Sequence, residues 1–426
     1  MTDNKTRNRF SWFRRHKVWT AIFVLVLLGL AAWGIKTWYS NYQATKYQDS
    51  LDSFYTTPNP LPPGKPGQII RSEPLGTNPP NGTGYRVMYY TQLPNGTLAV
   101  SSGMIFVPSA PAPAEGRKIV AWAHGTVGLG DNCAPSRQQN PTSAISTWIG
   151  DMMSRNYVVT ATDYTGLGTA GEPYYLVGES EARDVLNSVR AAQGLLSSSA
   201  SNNYALFGHS QGGHAVLWAT QLAGSYAPEL RLVATAAGAP AAELPALLQE
   251  QYSTGAAWAI GPIVSASWPN YYSGLSNQEV VSSAGLRNYQ RLAYRCLVDE
   301  TANILIRSAI KQPYYKSDPV REPDWYNAAN NQVPQAPPPS VPTLIAQGLT
   351  DNVVLPNTTA LLIQQYCNKN SNISTMWLGQ TGHLQLALIA GPTIAEWLQA
   401  RFEGQPTQST CTQPLPLNPA SIPATP

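Results

Sequence analysis

The stretch of sequence that decides the fold runs from residue 204 to residue 223 and reads YALFGHSQGGHAVLWATQLA. Residues 204–208 form an apolar run typical of a buried strand, and residues 212–223 have the pattern of a helix. Between them, Gly208, Ser210 and Gly212 spell GxSxG, the pattern of a sharp strand-to-helix turn that exposes a serine hydroxyl. A bare GxSxG is common by chance, but here the strand, turn and helix occur in the required order. We therefore predict that Ser210 is a nucleophile.

Other short apolar runs in the chain indicate a sheet. They do not alternate between apolar and polar residues, which is typical of parallel strands buried on both faces, and helical patterns such as 179–197 separate several of them. A hairpin is also predicted, because 85–93 and 97–107 flank the turn residues 94–96. We predict an α/β fold with a mostly parallel, doubly wound sheet of about eight strands. The remaining predicted strands are 118–123, 157–162, 231–236, 342–347 and 373–378.

Residues 241–341 interrupt this alternation between two predicted strands. The stretch is too long for a structureless loop and is rich in Trp and Tyr. We predict that it is a helical cap or lid inserted before the predicted strand 342–347, which we expect to carry an acidic residue of the site. It would lie over the carboxyl ends of the strands, where α/β sheets keep their sites. The α/β core would then comprise residues 85–240 and 342–404.

Two segments are rich in Pro, Gly and Asn. Residues 40–84 are expected to form an extended stalk or a wrap over the surface, and residues 405–426 a Pro-rich tail. We expect no regular structure in either segment.

The charge of the chain is concentrated at its N-terminus. Only 12% of the residues are charged and 43% are hydrophobic, which excludes a disordered scaffold. Residues 1–17 carry a net charge of +5, whereas the whole chain carries +3 and the remainder therefore −2. A nucleic-acid partner is excluded, because the folded body has no excess of basic residues to form a binding surface.

The basic segment 1–17 precedes the apolar run 18–39, which is long enough to span a bilayer. Positive charge before such a run holds the N-terminus in the cytoplasm. We predict a transmembrane signal-anchor helix at 18–39, with a membrane as its partner and the catalytic domain in the periplasm or cell envelope. The alternative is secretion after a signal peptide is cleaved at the small residues near Ala31 and Ala32.

A serine nucleophile needs a base, and the chain has five histidines. His16 lies in the cytoplasmic arm, while His209 and His214 are held too close to the turn to approach Ser210 from the opposite side. His124 lies on the loop after an early strand. The base is therefore His383, between the last strand and the last helix.

The base needs a carboxylate to orient it, and in this type of fold the order along the chain is Ser, acid, His. Between Ser210 and His383, Asp351 is the acidic residue that follows a predicted core strand through a short glycine turn. Asp163 also ends a strand but precedes the serine, so we assign it a structural or site-shaping role.

An oxyanion requires two N–H donors. We predict the backbone amide of Gln211, which follows the nucleophile, and an amide of the loop after the third strand, that of Thr126. The sequence contains no metal-ligand cluster, GxGxxG or P-loop, so no cofactor is implied.

The four cysteines, Cys133, Cys296, Cys367 and Cys411, are far apart and lack CxxC spacing, which argues against zinc or a redox pair. An even number in an exported chain indicates two disulfides. Spacing alone leaves three pairings open.

The motifs resemble, in order and spacing over roughly residues 60–404, the secretory lipase family of α/β hydrolases found in yeasts and actinobacteria. The resemblance implies a lipase or carboxylesterase with a helical cap, Ser210, Asp351 and His383 as the triad, and disulfides that pair Cys133 with Cys296 and Cys367 with Cys411. Members of the family are usually released by signal cleavage, whereas this chain begins with an apparent anchor. The matching motifs are GYRVMYYTQLPNGTLAVSSGMIFVP, VAWAHGTVGLGDNC, VVTATDYTGLGT, ALFGHSQGGHAVLWA, LIAQGLTDNVV and TGHLQ.

The leading hypothesis is a serine carboxylic ester hydrolase that cleaves acyl esters or lipids through an acyl-enzyme. One alternative uses the same triad for acyl transfer or amide hydrolysis. Another is a non-enzymatic envelope protein with a hydrolase fold, which would not need all three residues. No obligate protein partner is evident.

Overall fold

The computed structural model describes residues 42–426 without a gap and eight earlier positions: 19, 23, 29, 34–36, 38 and 39. The chain divides into two units, Met1–Phe54 and Tyr55–Pro426. In the first unit, residues 42–54 are helical. The predicted cytoplasmic segment 1–17 lies outside the described residues, as does most of the predicted transmembrane segment 18–39. Among the residues described, no helix combines the length and apolarity needed to cross a membrane.

The second unit is built on one mixed sheet of nine strands, counted over the described residues, in the order β1-β2-β3-β5-β4-β6-β7-β8-β9. Strands β1, β2 and β3 are antiparallel to their neighbours, and β4 to β9 run parallel to one another. The strands are β1 Ile69–Pro74, β2 Gly82–Gln92, β3 Leu98–Pro108, β4 Arg117–Ala123, β5 Val158–Thr162, β6 Ala200–His209, β7 Arg231–Gly238, β8 Thr343–Gly348 and β9 Ile373–Leu378.

The edge strand β1 lies inside the segment 40–84, for which no regular structure was expected. That expectation was wrong for residues 69–74, and also for the helical residues 42–54. The sequence IIRSEP shows no alternation that would indicate a strand. It becomes one by pairing along β2, with Ser72 opposite Val87 and Pro74 opposite Tyr85. The pattern of a single strand cannot reveal a partner that it meets only in the fold.

Helices cover both faces of the sheet, as a doubly wound topology requires. One face packs against α2 Gly178–Gly194, α3 Gln211–Tyr226 and α11 Pro356–Asn368. The other face packs against α1 Ile149–Ser154 and α12 Leu386–Phe402. Strand residues alternate between these two cores. In β4, for example, Ile119 and Ala121 belong to the first core, whereas Val120 and Trp122 belong to the second.

Helices also fill the interval between β7 and β8, where a cap was expected. Their aromatic side chains share the second core with the sheet: the ring centroids of Trp268 and Trp325 are 6.0 Å apart, and those of Trp258 and Tyr314 are 5.1 Å apart. The helices are α4 Leu244–Gln251, α5 Ala256–Tyr271, α6 Asn277–Val280, α7 Ser283–Leu286, α8 Tyr289–Ala293, α9 Leu297–Ala309 and α10 Pro323–Asn330.

The C-terminal tail runs along the outer edge of the sheet without regular structure. The amide of Thr410 donates to the carbonyl of Ile373 in edge strand β9, at 2.7 Å. A disulfide joins Cys411 to Cys367 at the end of α11. Covering an edge strand in this way removes a surface on which another chain could pair.

Candidate active site

The turn between β6 and α3 holds Ser210 in a constrained backbone conformation, with φ +59° and ψ −117°. The flanking glycines are required by close backbone contacts. A Cβ atom on Gly208 would lie 2.0 Å from the carbonyl oxygen of Gly212, and one on Gly212 would lie 1.9 Å from that of Ala123. Strain of this kind persists where the surrounding fold holds a functional side chain in place. The GxSxG pattern therefore has a steric basis in this chain.

The three residues predicted as a triad lie in one hydrogen-bonded line. His383 Nε2 is 2.9 Å from Ser210 Oγ, and His383 Nδ1 is 2.7 Å from Asp351 Oδ2. All three side chains are buried. Asp351 follows β8 and His383 follows β9, so both reach Ser210 from the carboxyl ends of neighbouring strands.

Backbone amides fix the carboxylate of Asp351. Its Oδ1 accepts hydrogen bonds from the amides of Val353 at 2.8 Å and Val354 at 3.0 Å, which leaves Oδ2 for His383. The side-chain amide of Gln347 lies 3.3 Å from Oδ2. A carboxylate held by several donors keeps its orientation toward the imidazole.

His209, which the sequence placed inside the turn, lies beside His383 with ring centroids 4.8 Å apart. Burial, and to a smaller extent the charge of His383, lower the pKa of His209 to about 3. The His209 ring is therefore neutral at physiological pH. A neutral neighbour does not oppose a positive charge on His383.

Of the two predicted oxyanion residues, Gln211 follows Ser210 directly and Thr126 follows Gly125, which approaches Ser210. Gln211 is the first residue of α3, where amides have no acceptor within the helix. The loop that carries Thr126 passes over Ser210, since a Cβ atom on the preceding Gly125 would lie 3.4 Å from the Cβ of Ser210. The Thr126 hydroxyl is hydrogen-bonded to that of Tyr175, at 2.7 Å.

A buried polar network behind the turn was not predicted from the sequence. Glu181 Oε1 accepts from the side chain of Gln211 at 2.7 Å and from the amide of Leu176 at 2.8 Å. Glu181 Oε2 is 3.4 Å from His214 Nδ1, and His214 Nε2 is 2.7 Å from the carbonyl oxygen of Gln332. The network thus fixes Gln211 and ties α3 to the segment after α10. The only hint in the sequence is an acidic residue at a buried position of α2.

Asp163 accepts hydrogen bonds from the Ser102 hydroxyl at 2.7 Å and from the amide of Ser136 at 2.9 Å. It is fully buried, and burial raises its pKa above the usual range of an aspartate. His383 pairs with Asp351 instead. The hydrogen bonds of Asp163 to Ser102 and Ser136 support the structural role that the position of Asp163 before the serine suggested.

A disulfide joins Cys133 to Cys296, and the second joins Cys367 to Cys411. The first connects the loop that follows β4 to the residue that precedes α9. The amide of Leu297 also donates to the carbonyl of Val127, at 2.9 Å. The loop over Ser210 is therefore anchored to the helical insertion.

An apolar cavity opens at Ser210 and extends beneath α4 and α5, with a volume of about 640 Å³ that includes its open mouth. Within the described residues, no group of three or more His, Cys, Asp or Glu side chains is arranged to hold a metal ion. Besides Ser210, the cavity is lined mainly by Tyr175, Leu176, Leu244, Leu247, Leu248, Ala256, Ile260, Val264 and Trp268.

Glu243, the buried residue that precedes α4, offers a test of stability. Burial raises the pKa of its carboxyl from 4.5 to about 7. The native state therefore binds a proton that the unfolded state has lost between these two values, so this group lowers stability as pH rises through that window. We expect Glu243→Gln to raise the free energy of unfolding by roughly 1–3 kcal/mol at pH 8, and by little at pH 4.5.

Urea unfolding at the two pH values measures this difference. The exposed Glu115 provides a matched control, since Glu115→Gln removes a carboxyl without relieving any burial. An equal gain at both pH values would show that the effect does not come from ionisation of Glu243.

Comparison with known proteins identifies the family. Residues 138–410 match the family model described as secretory lipase, which is more than half of the chain. Lipase A of Moesziomyces aphidis is 25% identical over 397 residues, covering 86% of this chain and 82% of that lipase. A Mycobacterium tuberculosis protein named a probable inactive lipase is 24% identical over 379 residues, covering 84% of this chain and 83% of that protein.

The fold is also found among solved structures. Candida antarctica lipase A superposes with a TM-score of 0.67 at 21% identity, covering 86% of this chain and 88% of that one. At this identity the similarity shows a shared fold, that of an α/β-hydrolase-like lipase. The chain therefore belongs to the secretory lipase family, and it is a serine ester hydrolase of the lipase and esterase type.

Proposed function

We propose that this protein hydrolyses carboxylic esters with Ser210 as nucleophile, His383 as base and Asp351 as the residue that orients the base. The observation that carries the proposal is the hydrogen-bonded line from Asp351 through His383 to Ser210, which ends at an apolar cavity. A serine is a weak nucleophile unless a base accepts its proton. The 2.9 Å contact supplies that base.

The reaction would proceed by acyl transfer through a covalent intermediate. As Ser210 Oγ attacks the ester carbonyl, its proton passes to His383 Nε2, and the imidazolium that forms is stabilised by Asp351. The negative charge on the carbonyl oxygen is stabilised by the amides of Thr126 and Gln211. His383 then protonates the departing alcohol. A water molecule attacks the acyl-enzyme by the same route, releasing the acid and free Ser210.

The substrate class follows from the cavity beside Ser210. Its lining is almost entirely apolar and carries no Lys, Arg, Asp or Glu among its residues. Such a surface suits the acyl chain of an ester or lipid rather than a charged acid. We propose that the acyl chain occupies this cavity.

The direct test uses the full chain with p-nitrophenyl acyl esters and an alkyl phosphonate ester that reacts covalently with activated serines. We expect release of p-nitrophenolate and one phosphonate adduct per chain, located on Ser210 by mass spectrometry. An enzyme that hydrolyses no ester of any chain length, and takes up no phosphonate, would contradict the proposal. Product analysis with added alcohol acceptors or amide substrates distinguishes ester hydrolysis from the acyl-transfer and amidase alternatives.

We also propose that the enzyme acts outside the cytoplasm. The two disulfides support this location, because such bonds persist in oxidising compartments. The same assay on intact cells, membrane pellets and medium tests it. Activity in the pellet with residues 18–39 present would indicate the signal-anchor, and activity in the medium without them would indicate cleavage. Activity confined to the cytosol would contradict the location.

A further inference from the structure

One buried carboxylate, that of Glu181, contacts the segments that lead to both predicted oxyanion donors. Its side chain is 2% exposed, and it does not line the cavity at Ser210. Resting on the function proposed above, we propose that Glu181 is a positioning residue for the reaction. It sets the spacing between the amides of Thr126 and Gln211, and thereby the stabilisation of the oxyanion, without touching the substrate.

The first arm of this arrangement reaches Gln211. Glu181 Oε1 accepts a hydrogen bond from the side-chain amide of Gln211, at 2.7 Å. Gln211 is the first residue of α3, so its backbone amide has no acceptor within the helix and is available to an oxyanion. The hydrogen bond to Glu181 restrains the side chain of the same residue that carries this amide.

The second arm reaches Thr126 through two intervening residues. The same oxygen, Glu181 Oε1, accepts a hydrogen bond from the backbone amide of Leu176 at 2.8 Å. The preceding residue, Tyr175, is hydrogen-bonded through its hydroxyl group to that of Thr126, at 2.7 Å. The carbonyl oxygen of Tyr175 also accepts from the indole N–H of Trp268, at 3.1 Å. One carboxylate oxygen therefore holds the segments that lead to both donors.

Side-chain packing alone does not hold these segments together. A cavity of about 360 Å³, including its open mouth, lies among them, and Val127, Tyr175, Glu181 and Gln211 all line it. Groups on opposite sides of a cavity lack the van der Waals contacts that fix positions in a close-packed interior. The hydrogen bonds of Glu181 therefore set the spacing between the two segments.

The second oxygen of the carboxylate faces His214 and shows which substitution keeps the arrangement. His214 Nε2 lies 2.7 Å from the carbonyl oxygen of Gln332 and therefore donates to it, while His214 Nδ1 lies 3.4 Å from Glu181 Oε2. A neutral imidazole that donates through Nε2 accepts at Nδ1. Glu181→Gln can thus keep every contact, because its oxygen accepts from Gln211 and Leu176 and its amino group donates to His214.

The test measures hydrolysis of p-nitrophenyl butyrate by the full chain, with kcat expressed per folded chain from the folded fraction in urea unfolding. Glu181→Leu has a similar size but no acceptor. We expect it to lower kcat roughly 10- to 100-fold, because a displacement of about 1 Å at a reacting centre costs up to about 10²-fold. KM should stay within about threefold, since ground-state binding is not changed. Glu181→Gln should restore kcat to within about threefold of wild type.

A second measurement distinguishes positioning from a merely structural role. Ser210 Oγ adds to the carbonyl carbon of an alkyl trifluoromethyl ketone, and the resulting tetrahedral adduct carries its oxyanion at the same two amides. We expect Glu181→Leu to weaken inhibition by this ketone by about the same factor as it lowers kcat, because both report transition-state stabilisation. A structural role alone would reduce the folded fraction and leave both quantities unchanged per folded chain.

Glu179, two positions earlier on α2, is the matched control. Its carboxylate is partly exposed and pairs with Arg183, so Glu179→Leu makes the same chemical change away from the oxyanion segments and should keep the wild-type kcat. If Glu181→Leu does not fold, Gln211→Leu and Tyr175→Phe each remove one arm and should each lower kcat about fivefold or more, with KM little changed.

The inference is overturned if Glu181→Leu keeps kcat and ketone affinity near the wild-type values, or if Glu181→Gln loses as much activity as Glu181→Leu. It is also overturned if neither arm variant lowers kcat. In all of these cases an active wild type leaves the proposed function intact. A wild-type chain that hydrolyses no ester contradicts the proposed function itself.

Discussion

Replacing Ser210 with alanine is expected to lower kcat for p-nitrophenyl esters by about 10⁶-fold, the loss typical of removing a serine nucleophile. No other hydroxyl can take its place in the proposed reaction, because Ser210 Oγ is the atom that His383 contacts at 2.9 Å. Residual hydrolysis from the oxyanion amides and substrate binding would still exceed the rate in water.

The substitution leaves the surrounding structure nearly unchanged. Alanine is smaller than serine, and the side chain of Ser210 makes its hydrogen bond to His383 alone among the contacts described. We therefore expect the free energy of unfolding to change by less than about 1 kcal/mol. Ser225, an exposed serine at the other end of the same helix, is the matched control, and Ser225→Ala should keep full activity.

The same pair of variants distinguishes an enzyme from a binding protein with a hydrolase fold. This distinction matters because one relative is named a probable inactive lipase. If Ser210→Ala and Ser225→Ala hydrolysed esters at equal rates, the activity would not arise at Ser210. Phosphonate labelling provides a second readout, since the adduct should be absent from Ser210→Ala and present in Ser225→Ala.

The sequence was sufficient to predict that the three residues of the proposed triad come together in the fold. Ser210, Asp351 and His383 each lie just past a core strand, and parallel strands bring their carboxyl ends to one edge. The structure then adds their distances, which no spacing along the chain contains.

The sequence could not predict contacts between distant segments. Glu181 and Gln332 are 151 positions apart, and in the fold both contact His214. The contact between Thr126 and Tyr175 likewise depends on how two loops pack. Neither pair carries a motif, so neither could be recognised before the fold was known. The strand β1 was missed for the same reason.

Replacing Asp351 with asparagine is expected to lower kcat by roughly 10³- to 10⁴-fold, with KM changed much less. Asp351 is acceptor-only when ionised: Oδ1 accepts the amides of Val353 and Val354, and Oδ2 accepts the proton on His383 Nδ1. Asparagine has one oxygen and one amino group. If its oxygen keeps the two backbone amides, its amino group faces His383 Nδ1.

An amino group at that position favours the opposite tautomer of the imidazole. Nδ1 then accepts a hydrogen bond, the proton moves to Nε2, and the nitrogen that should take the proton of Ser210 becomes a donor. The loss therefore arises in the chemical step, because the cavity beside Ser210 does not change. Steady-state kinetics with a p-nitrophenyl ester series measures it as a fall in kcat. Asp324, exposed at the start of α10, is the control, and Asp324→Asn should behave as wild type. An Asp351→Asn enzyme within tenfold of wild type would show that His383 does not depend on Asp351 for its orientation.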